Sequence, residues 1–126
     1  MISLIHGTDQ YLSYKYLQQK REEYKQKGFE IKIVDVDDEY EMPDAAFLYG
    51  LLSEQDLFGS DKLIVLKRIT SRDLFFKMGK ALKIANTLFD AIKNSKNEII
   101  LWEDKLLTAA NPLIKLKRNK SIFRTN

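Results

Sequence analysis

Two short, uninterrupted apolar stretches restrict the folds open to this chain more than any other feature. They are residues 63–66 (Leu-Ile-Val-Leu) and 99–102 (Ile-Ile-Leu-Trp). Strands without polar positions are typical of a parallel sheet that is covered by helices on both faces, because neither side of such a strand meets water. The chain is therefore expected to adopt an α/β fold with these two strands at the centre of its sheet.

The other segments alternate between strand and helix patterns and predict the order βαβαβαβαβ. Strands are predicted at 2–5, 29–36 and 121–123, and helices from Thr8 or Asp9 to about 27, then at about 44–53, 72–93 and 111–118. Thr8 or Asp9 can cap the first helix, and Gly28 is a typical stop. Strands that alternate with helices predict a parallel sheet with right-handed crossovers.

The second predicted strand, residues 29–36, alternates apolar and polar side chains, as a strand near a sheet edge does. A P-loop-type strand order (5-1-4-3-2) places this strand at an edge. A flavodoxin-like order (2-1-3-4-5) does so as well. The character of the strands therefore does not decide between the two orders.

The chain has the length of one domain, and its hydrophobic content of 44% is that of a globular protein. No apolar run approaches the ~20 residues that span a bilayer, and the N-terminus carries no basic leader. Because there is no cysteine, disulfides and thiolate metal sites are excluded. We expect a single domain over residues 1–126 that is located in the cytoplasm and has no membrane partner.

The net charge of +3 is too small to indicate nucleic-acid binding by itself, but the basic residues are unevenly spread. Solvated helix faces are the favoured interpretation over a phosphate-binding surface. The basic residues lie along the first helix (Lys15, Lys20, Arg21, Lys25 and Lys27) and near the end of the chain (Lys115, Lys117, Arg118 and Lys120).

The residues that follow the first and third strands lack the chemistry of a phosphate site. A P-loop needs a glycine-rich segment that ends in Gly-Lys-Ser/Thr, whereas residues 6–10 read His-Gly-Thr-Asp-Gln, with one glycine and no lysine. An ATPase also needs an acidic residue after strand three to hold magnesium, and Lys67 and Arg68 stand there. Both halves of the site are missing, so no nucleotide cofactor is expected.

Other catalytic chemistry is weakly represented, and no catalytic or metal-ligating residue is predicted. His6 could act as a general base, although a turn histidine is the favoured interpretation. An acidic loop could bind a hard cation, but a solvated loop is favoured. A pair of acids after strand four occupies the place of a polar sensor, and we interpret the pair as surface or capping groups. The acidic residues are Asp35, Asp37 and Asp38 in the loop, and Glu103 and Asp104 after strand four.

The segment between the second helix and the third strand contains an adjacent pair of large apolar residues, Leu57 and Phe58. For an isolated pair, packing into the core is the favoured interpretation. Here three polar residues precede the pair and Gly-Ser-Asp-Lys follows it, which indicates a protruding elbow. Exposed neighbouring apolar side chains can anchor a chain in a partner's pocket.

Several short sequence motifs, taken together and in order, are shared with one protein family. In order along the chain they are residues 6–12 (HGTDQYL), 28–30 (GFE), 57–59 (LFG) followed by 62–66 (KLIVL), and the apolar strand 98–102. With them, the chain resembles the N-terminal domain of the delta-subunit family of bacterial DNA polymerase III clamp loaders. The resemblance covers essentially all of the 126 residues.

The resemblance implies a three-layer, AAA+-like domain of the P-loop NTPase type that has a five-stranded parallel sheet and no longer uses ATP. It implies that Leu57 and Phe58 enter a hydrophobic pocket of the sliding clamp, the beta subunit, and help to open the ring for loading on DNA during replication. Asp56 matches a small polar or acidic position of clamp-binding peptides, and Gln55 is expected to contribute. Glu54 stands where many such peptides have glutamine.

Members of this family carry a lid and a helical collar after this domain, whereas this chain ends just after its fifth predicted strand. Contacts with the other loader subunits, and indirectly with DNA, would belong to those missing domains. The resemblance implies no activity of the domain itself, within a complex that counts as a DNA-directed DNA polymerase. Two alternatives stay open: a nucleotide-binding enzyme or switch with an atypical phosphate loop, and a basic DNA-binding module that uses residues 115–120.

Overall fold

The computed structural model describes residues 2–37, 45–53, 61–71, 90–109, 111, 113–114 and 120–125. Its strands form one sheet in which every hydrogen-bonded pair is parallel. The strands are β1 (Ile2–Gly7), β2 (Glu30–Asp35), β3 (Lys62–Lys67), β4 (Glu98–Trp102) and β5 (Lys120–Thr125). The helices are α1 (Gln10–Gln26), α2 (Ala45–Ser53) and a 3-10 turn (Ile69–Ser71), and residues 90–94 are also helical.

The strand order is β2-β3-β4-β1-β5. Read from β5, this is 5-1-4-3-2, so the flavodoxin-like alternative is wrong. The prediction that the two apolar strands are interior is confirmed, because β3 and β4 each have a neighbour on both sides. The alternating strand β2 pairs with β3 and lies at an edge of the sheet, as its pattern predicts.

Helices pack on both faces of the sheet, which agrees with the layered α/β architecture predicted from the sequence. On one face, Leu17 of α1 packs over Ile5, Val65 and Ile100. On the other face, the buried core includes Leu48 and Leu52 of α2, Ile92 and Leu113, together with the inward side chains of the strands. Each interior strand therefore buries both of its faces, which explains why β3 and β4 contain no exposed polar position in their middle.

Helix α1 begins and ends where its sequence signals predict. The carboxylate of Asp9 accepts a hydrogen bond from the amide of Leu12 at 3.0 Å, which is the geometry of an N-cap. Gly28 follows the helix with a φ of 87°, a left-handed conformation that favours glycine. Asp9 therefore marks the start of α1 after β1, and Gly28 marks the turn from α1 into β2.

The boundaries differ from the predictions in two places. His6 and Gly7 belong to β1 and not to a turn, because the parallel pairing with β5 continues to Gly7. Of the helix predicted over 72–93, the described residues 90–93 are helical and the others lie outside the described residues. Of the helix predicted at 111–118, the described residues 111, 113 and 114 form a bend and a turn and not a helix, and the others lie outside the described residues. None of the described helices is long and apolar enough to cross a membrane.

Candidate functional site

The carboxyl edge of the sheet, where parallel α/β proteins bind ligands, begins with the loop after β1. The amide of Gly7 donates to the carbonyl of Lys105 at 3.1 Å. The amide of Asp9 donates to the hydroxyl oxygen of Thr125 at 3.2 Å, and that hydroxyl lies 3.2 Å from the carbonyl of Asp9. A β-carbon on Gly7 would overlap the backbone and side chain of Thr125, and its φ is 136°. Thr125, at the end of β5, therefore fills the space beside the loop that follows β1.

The first turn of α1 is also engaged by internal acceptors. The carboxylate of Asp9 accepts from the amide of Leu12, and the carbonyl of Asp9 accepts from the amide of Ser13 at 3.1 Å. A helix N-terminus binds anions through amides of this kind and through its positive dipole end. Here a carboxylate of the chain itself occupies that position.

Arg68, directly after β3, holds together the ends of neighbouring strands. Its Nε donates to Asp35 Oδ1 at 3.0 Å, and its Nη2 donates to Asp35 Oδ2. Asp37 lies 3.5 Å and Asp104 lies 4.0 Å from Nη1. The backbone amide of Arg68 donates to the carbonyl of Trp102 at 2.8 Å. The φ of Arg68 is 61°, which is unusual for a residue other than glycine. The hydrogen bond to Asp35, above all, raises the pKa of Arg68, so the guanidinium remains charged.

The interpretation of the acidic loop as solvated is therefore wrong for Asp35, whose carboxylate forms a two-point ion pair with Arg68. Asp37 extends the same network, and Asp38 lies outside the described residues. Within the part of the chain that the structure describes, no group of three or more acidic, histidine or cysteine side chains could hold a metal ion. The sequence showed opposite charges after strands two and three, but the ion pair depends on these strands being neighbours, which the structure establishes.

Glu103, at the end of the central strand β4, is 1% exposed, so its interpretation as a surface group is wrong. The capping interpretation is correct, because Glu103 Oε1 accepts from the amide of Thr70, at the start of the 3-10 turn, at 2.8 Å. Its Oε2 and the hydroxyl of Thr70 are buried without a hydrogen-bond partner among the described residues. Burial raises the pKa of Glu103 to about 7, so the carboxyl is partly protonated near neutral pH.

His6, the candidate general base, is 3% exposed and serves the fold. Its Nδ1 accepts a hydrogen bond from the amide of Leu107 at 3.0 Å, which ties the segment after β4 to the end of β1. Burial, followed by the nearby charge of Arg124, lowers the pKa of His6. The ring is therefore neutral at pH 7, as an acceptor nitrogen requires.

The residues expected to bind the clamp, Gln55, Asp56, Leu57 and Phe58, lie outside the described residues, as do residues 115–119 of the basic cluster. The ends that flank residues 54–60 are described. Helix α2 ends at Ser53 and β3 begins at Lys62, so both described flanks lie at the amino edge of the sheet, opposite the carboxyl edge.

A cavity of about 300 Å³ lies beside the end of α2, lined by Tyr49, Leu52, Asp90 and Asn94 among others. The hydroxyl of Ser95 donates to the carbonyl of Leu52 at 2.7 Å and anchors the end of α2 to the segment that leads into β4. This hydrogen bond joins the described flank that precedes residues 54–60 to the segment before β4.

Comparison of the sequence with protein-family models and with curated proteins gives no match.

Proposed function

We propose that this chain is the non-catalytic, sliding-clamp-binding domain of a replicative clamp-loader delta subunit, which helps to open the clamp ring for loading on DNA. One observation carries the proposal. Several polar groups at the carboxyl edge, where a P-loop-type ATPase would hold its phosphates, are already engaged by the chain itself. Gly7, Asp9 and Leu12 donate their amides internally, and Arg68 stands paired with Asp35 after β3.

The strand order supports the family part of the proposal. The order 5-1-4-3-2 is the P-loop-type order, and AAA+ domains belong to that class. A domain with this sheet and an internally closed carboxyl edge matches an ATPase relative that retains the scaffold without the nucleotide chemistry. The resemblance to the delta-subunit family accounts for both features together.

The position of the elements that flank the proposed clamp-binding segment supports the mechanism. The residues that flank 54–60, at the end of α2 and the start of β3, lie at the amino edge, so a partner bound beside these flanks would not approach the carboxyl edge. Burial of Leu57 and Phe58 would contribute roughly 1.5–3 kcal/mol each. Because a micromolar complex needs about 8 kcal/mol, Gln55, Asp56 and their neighbours must also contribute to the interface.

The decisive experiment is calorimetric titration of the chain with the sliding clamp of the same organism. Replacing Leu57→Ala together with Phe58→Ala should weaken binding by about a hundredfold or more, since about 1.4 kcal/mol corresponds to a tenfold change in affinity. The matched control is Leu106→Ala with Ile122→Ala, two residues that are exposed elsewhere on the domain. This control should bind the clamp like the unchanged chain.

Circular dichroism of the double variant separates binding from folding. If Leu57→Ala with Phe58→Ala unfolds the domain, the pair belongs to the core and the proposal fails. Unchanged affinity in a folded double variant would also contradict it.

The nucleotide-binding alternative has its own measurement, which is thermal stability with and without ATP and magnesium. A ligand present at a hundred times its dissociation constant stabilises a protein by about 2.7 kcal/mol. We expect no such shift, because the amides of Gly7, Asp9 and Leu12 already have internal acceptors. A shift of that size would favour a nucleotide-dependent enzyme or switch.

A further inference from the structure

Helix α1 has two sides of different character. One side buries Ser13 and Leu17 against the sheet, with Tyr16 and Tyr24 packed beside them. Another side carries a continuous row of polar, aromatic and basic residues. Since residues three and four apart are neighbours on a helix, the row forms one stripe. This outer stripe consists of Tyr11, Tyr14, Gln18, Arg21 and Lys25, together with Lys15 at its edge, one turn after Tyr11.

Two aromatic rings at the start of the outer stripe are open to solvent. Tyr11 is 74% exposed and Tyr14 is 46% exposed. Neither hydroxyl is needed to satisfy a buried partner in the described part of the chain, and Tyr11 packs into neither core cluster. Aromatic side chains exposed in this way are available to stack on a planar ligand.

A lysine lies beside each of these rings, and neither lysine is ion-paired among the described residues. The amine of Lys67 lies 5.8 Å from the ring centroid of Tyr14 and 5.4 Å from that of Trp102. Lys15 follows Tyr11 by one helical turn and is exposed, as is Lys25. Among the described residues, no carboxylate lies within ion-pair distance of Lys15, Lys25 or Lys67.

Arg21 is held in place within the stripe. Its Nη1 donates to Gln18 Oε1 at 3.1 Å, so one turn of the helix orients the guanidinium. Arginine recognises phosphate through a planar set of donors, and an oriented side chain loses less entropy on binding. Glu22 and Glu23 are the exposed acids of α1, and Glu23 lies 3.6 Å from the amine of Lys20. The two acids are outnumbered by Lys15, Lys20, Arg21 and Lys25 of the same helix.

We propose that the outer stripe binds single-stranded nucleic acid, with unpaired bases stacked on Tyr11 and Tyr14 and phosphates held by Lys15, Arg21 and Lys25. Open aromatic rings beside unneutralised cations are the combination by which proteins bind single strands without reading their sequence. Bases in a duplex are already stacked on one another, so the rings select the single strand. The stripe is about 21 Å long at 1.5 Å per residue, and a short oligonucleotide therefore suffices.

The proposal is tested by fluorescence anisotropy of the full chain with labelled oligothymidylate and oligouridylate of about 15 nucleotides, and with a duplex of the same length. Both single strands should bind more tightly than the duplex, and binding should weaken as salt rises. Tyr11→Ala with Tyr14→Ala should lower single-strand affinity at least about tenfold. Lys15→Gln with Lys25→Gln should reduce the salt slope by about 0.7 per lysine.

The matched control is Tyr49→Ala with Lys93→Gln, an exposed tyrosine and an exposed lysine on the opposite face of the sheet. It should bind like the unchanged chain. Because Tyr11 and the two lysines are exposed, Tyr11→Ala and the double lysine variant provide folded tests even if the double tyrosine variant unfolds. Preference for the duplex, no binding at low salt, or equal loss in the control would overturn the proposal.

Measurement of clamp affinity for the same variants distinguishes a failure of this proposal from a failure of the proposed function. The stripe variants should retain clamp affinity, whereas the variant of Leu57 and Phe58 should retain oligonucleotide affinity. Stripe variants that lose clamp binding and leave oligonucleotide binding unchanged would overturn the nucleic-acid proposal and assign the stripe to a protein partner.

Discussion

The carboxyl edge of the sheet and the outer stripe of α1 both carry charged side chains, but they use them differently. At the carboxyl edge, Arg68 is paired with Asp35 and lies near Asp37 and Asp104. Along the stripe, Lys15 and Lys25 have no carboxylate within ion-pair distance among the described residues. Charges that are paired internally stabilise the fold, whereas unpaired charges remain available for a partner. Mutations in the two regions should therefore separate stability from binding.

The largest loss of stability should follow Gly7→Ala. The new β-carbon would overlap the backbone of Thr125, and alanine rarely adopts a φ of 136°. Overpacking and backbone strain together should destabilise the domain by about 3 kcal/mol or more. Chemical denaturation measures this change.

Gly50→Ala is the matched control, because Gly50 lies within α2 and nothing stands within 4 Å of its would-be β-carbon. There alanine should raise stability by up to about 1 kcal/mol. If Gly7→Ala and Gly50→Ala were equally tolerated, the close contact between Gly7 and Thr125 would be contradicted.

The next largest effect should be a pH dependence that Glu103 imposes on stability. Its pKa in the fold is about 7, above the ordinary value of 4.5, so the native state binds this proton more tightly than the unfolded state does. The stabilising effect is complete below pH 4.5 and is lost as pH rises through 7. At 1.36 kcal/mol per pH unit, the loss is roughly 3 kcal/mol.

Glu103→Gln keeps the shape of the neutral acid and cannot ionise. Urea denaturation at a series of pH values should show that the free energy of unfolding of the variant rises relative to that of the unchanged chain as pH rises. The difference should level off above the pKa of Glu103. A difference in stability that does not change with pH would contradict the burial of this carboxyl.

A smaller loss should follow Arg68→Ala. The substitution leaves Asp35 without its two-point partner and brings the repulsion among three carboxylates into effect, which should cost about 2 kcal/mol. Asp37→Asn is the graded comparison: Asp37 lies farther from the guanidinium, at 3.5 Å, and its side chain is half exposed, so about 0.5 kcal/mol or less is expected. Equal effects of the two substitutions in thermal denaturation would argue against a network centred on Asp35.

The sequence predicted the scaffold better than it predicted the contacts at the carboxyl edge. The apolar strands β3 and β4 and the Asp9 cap were predictable because they depend on local pattern. The pairing of Arg68 with Asp35 depends on β2 and β3 being neighbours, which the strand pattern could not decide. Likewise, an acid after a strand usually faces water, and Glu103 is buried because the 3-10 turn offers it an amide.

The smallest change in stability should come from the outer stripe, where Lys15→Gln with Lys25→Gln should alter the unfolding free energy by less than about 0.5 kcal/mol. Both side chains are exposed, and neither compensates a described carboxylate, so their removal breaks no stabilising contact. The same variant should show the reduced salt slope in oligonucleotide binding. A loss of stability comparable to that of Arg68→Ala would mean that these lysines also serve the fold, and the contrast between the two regions would disappear.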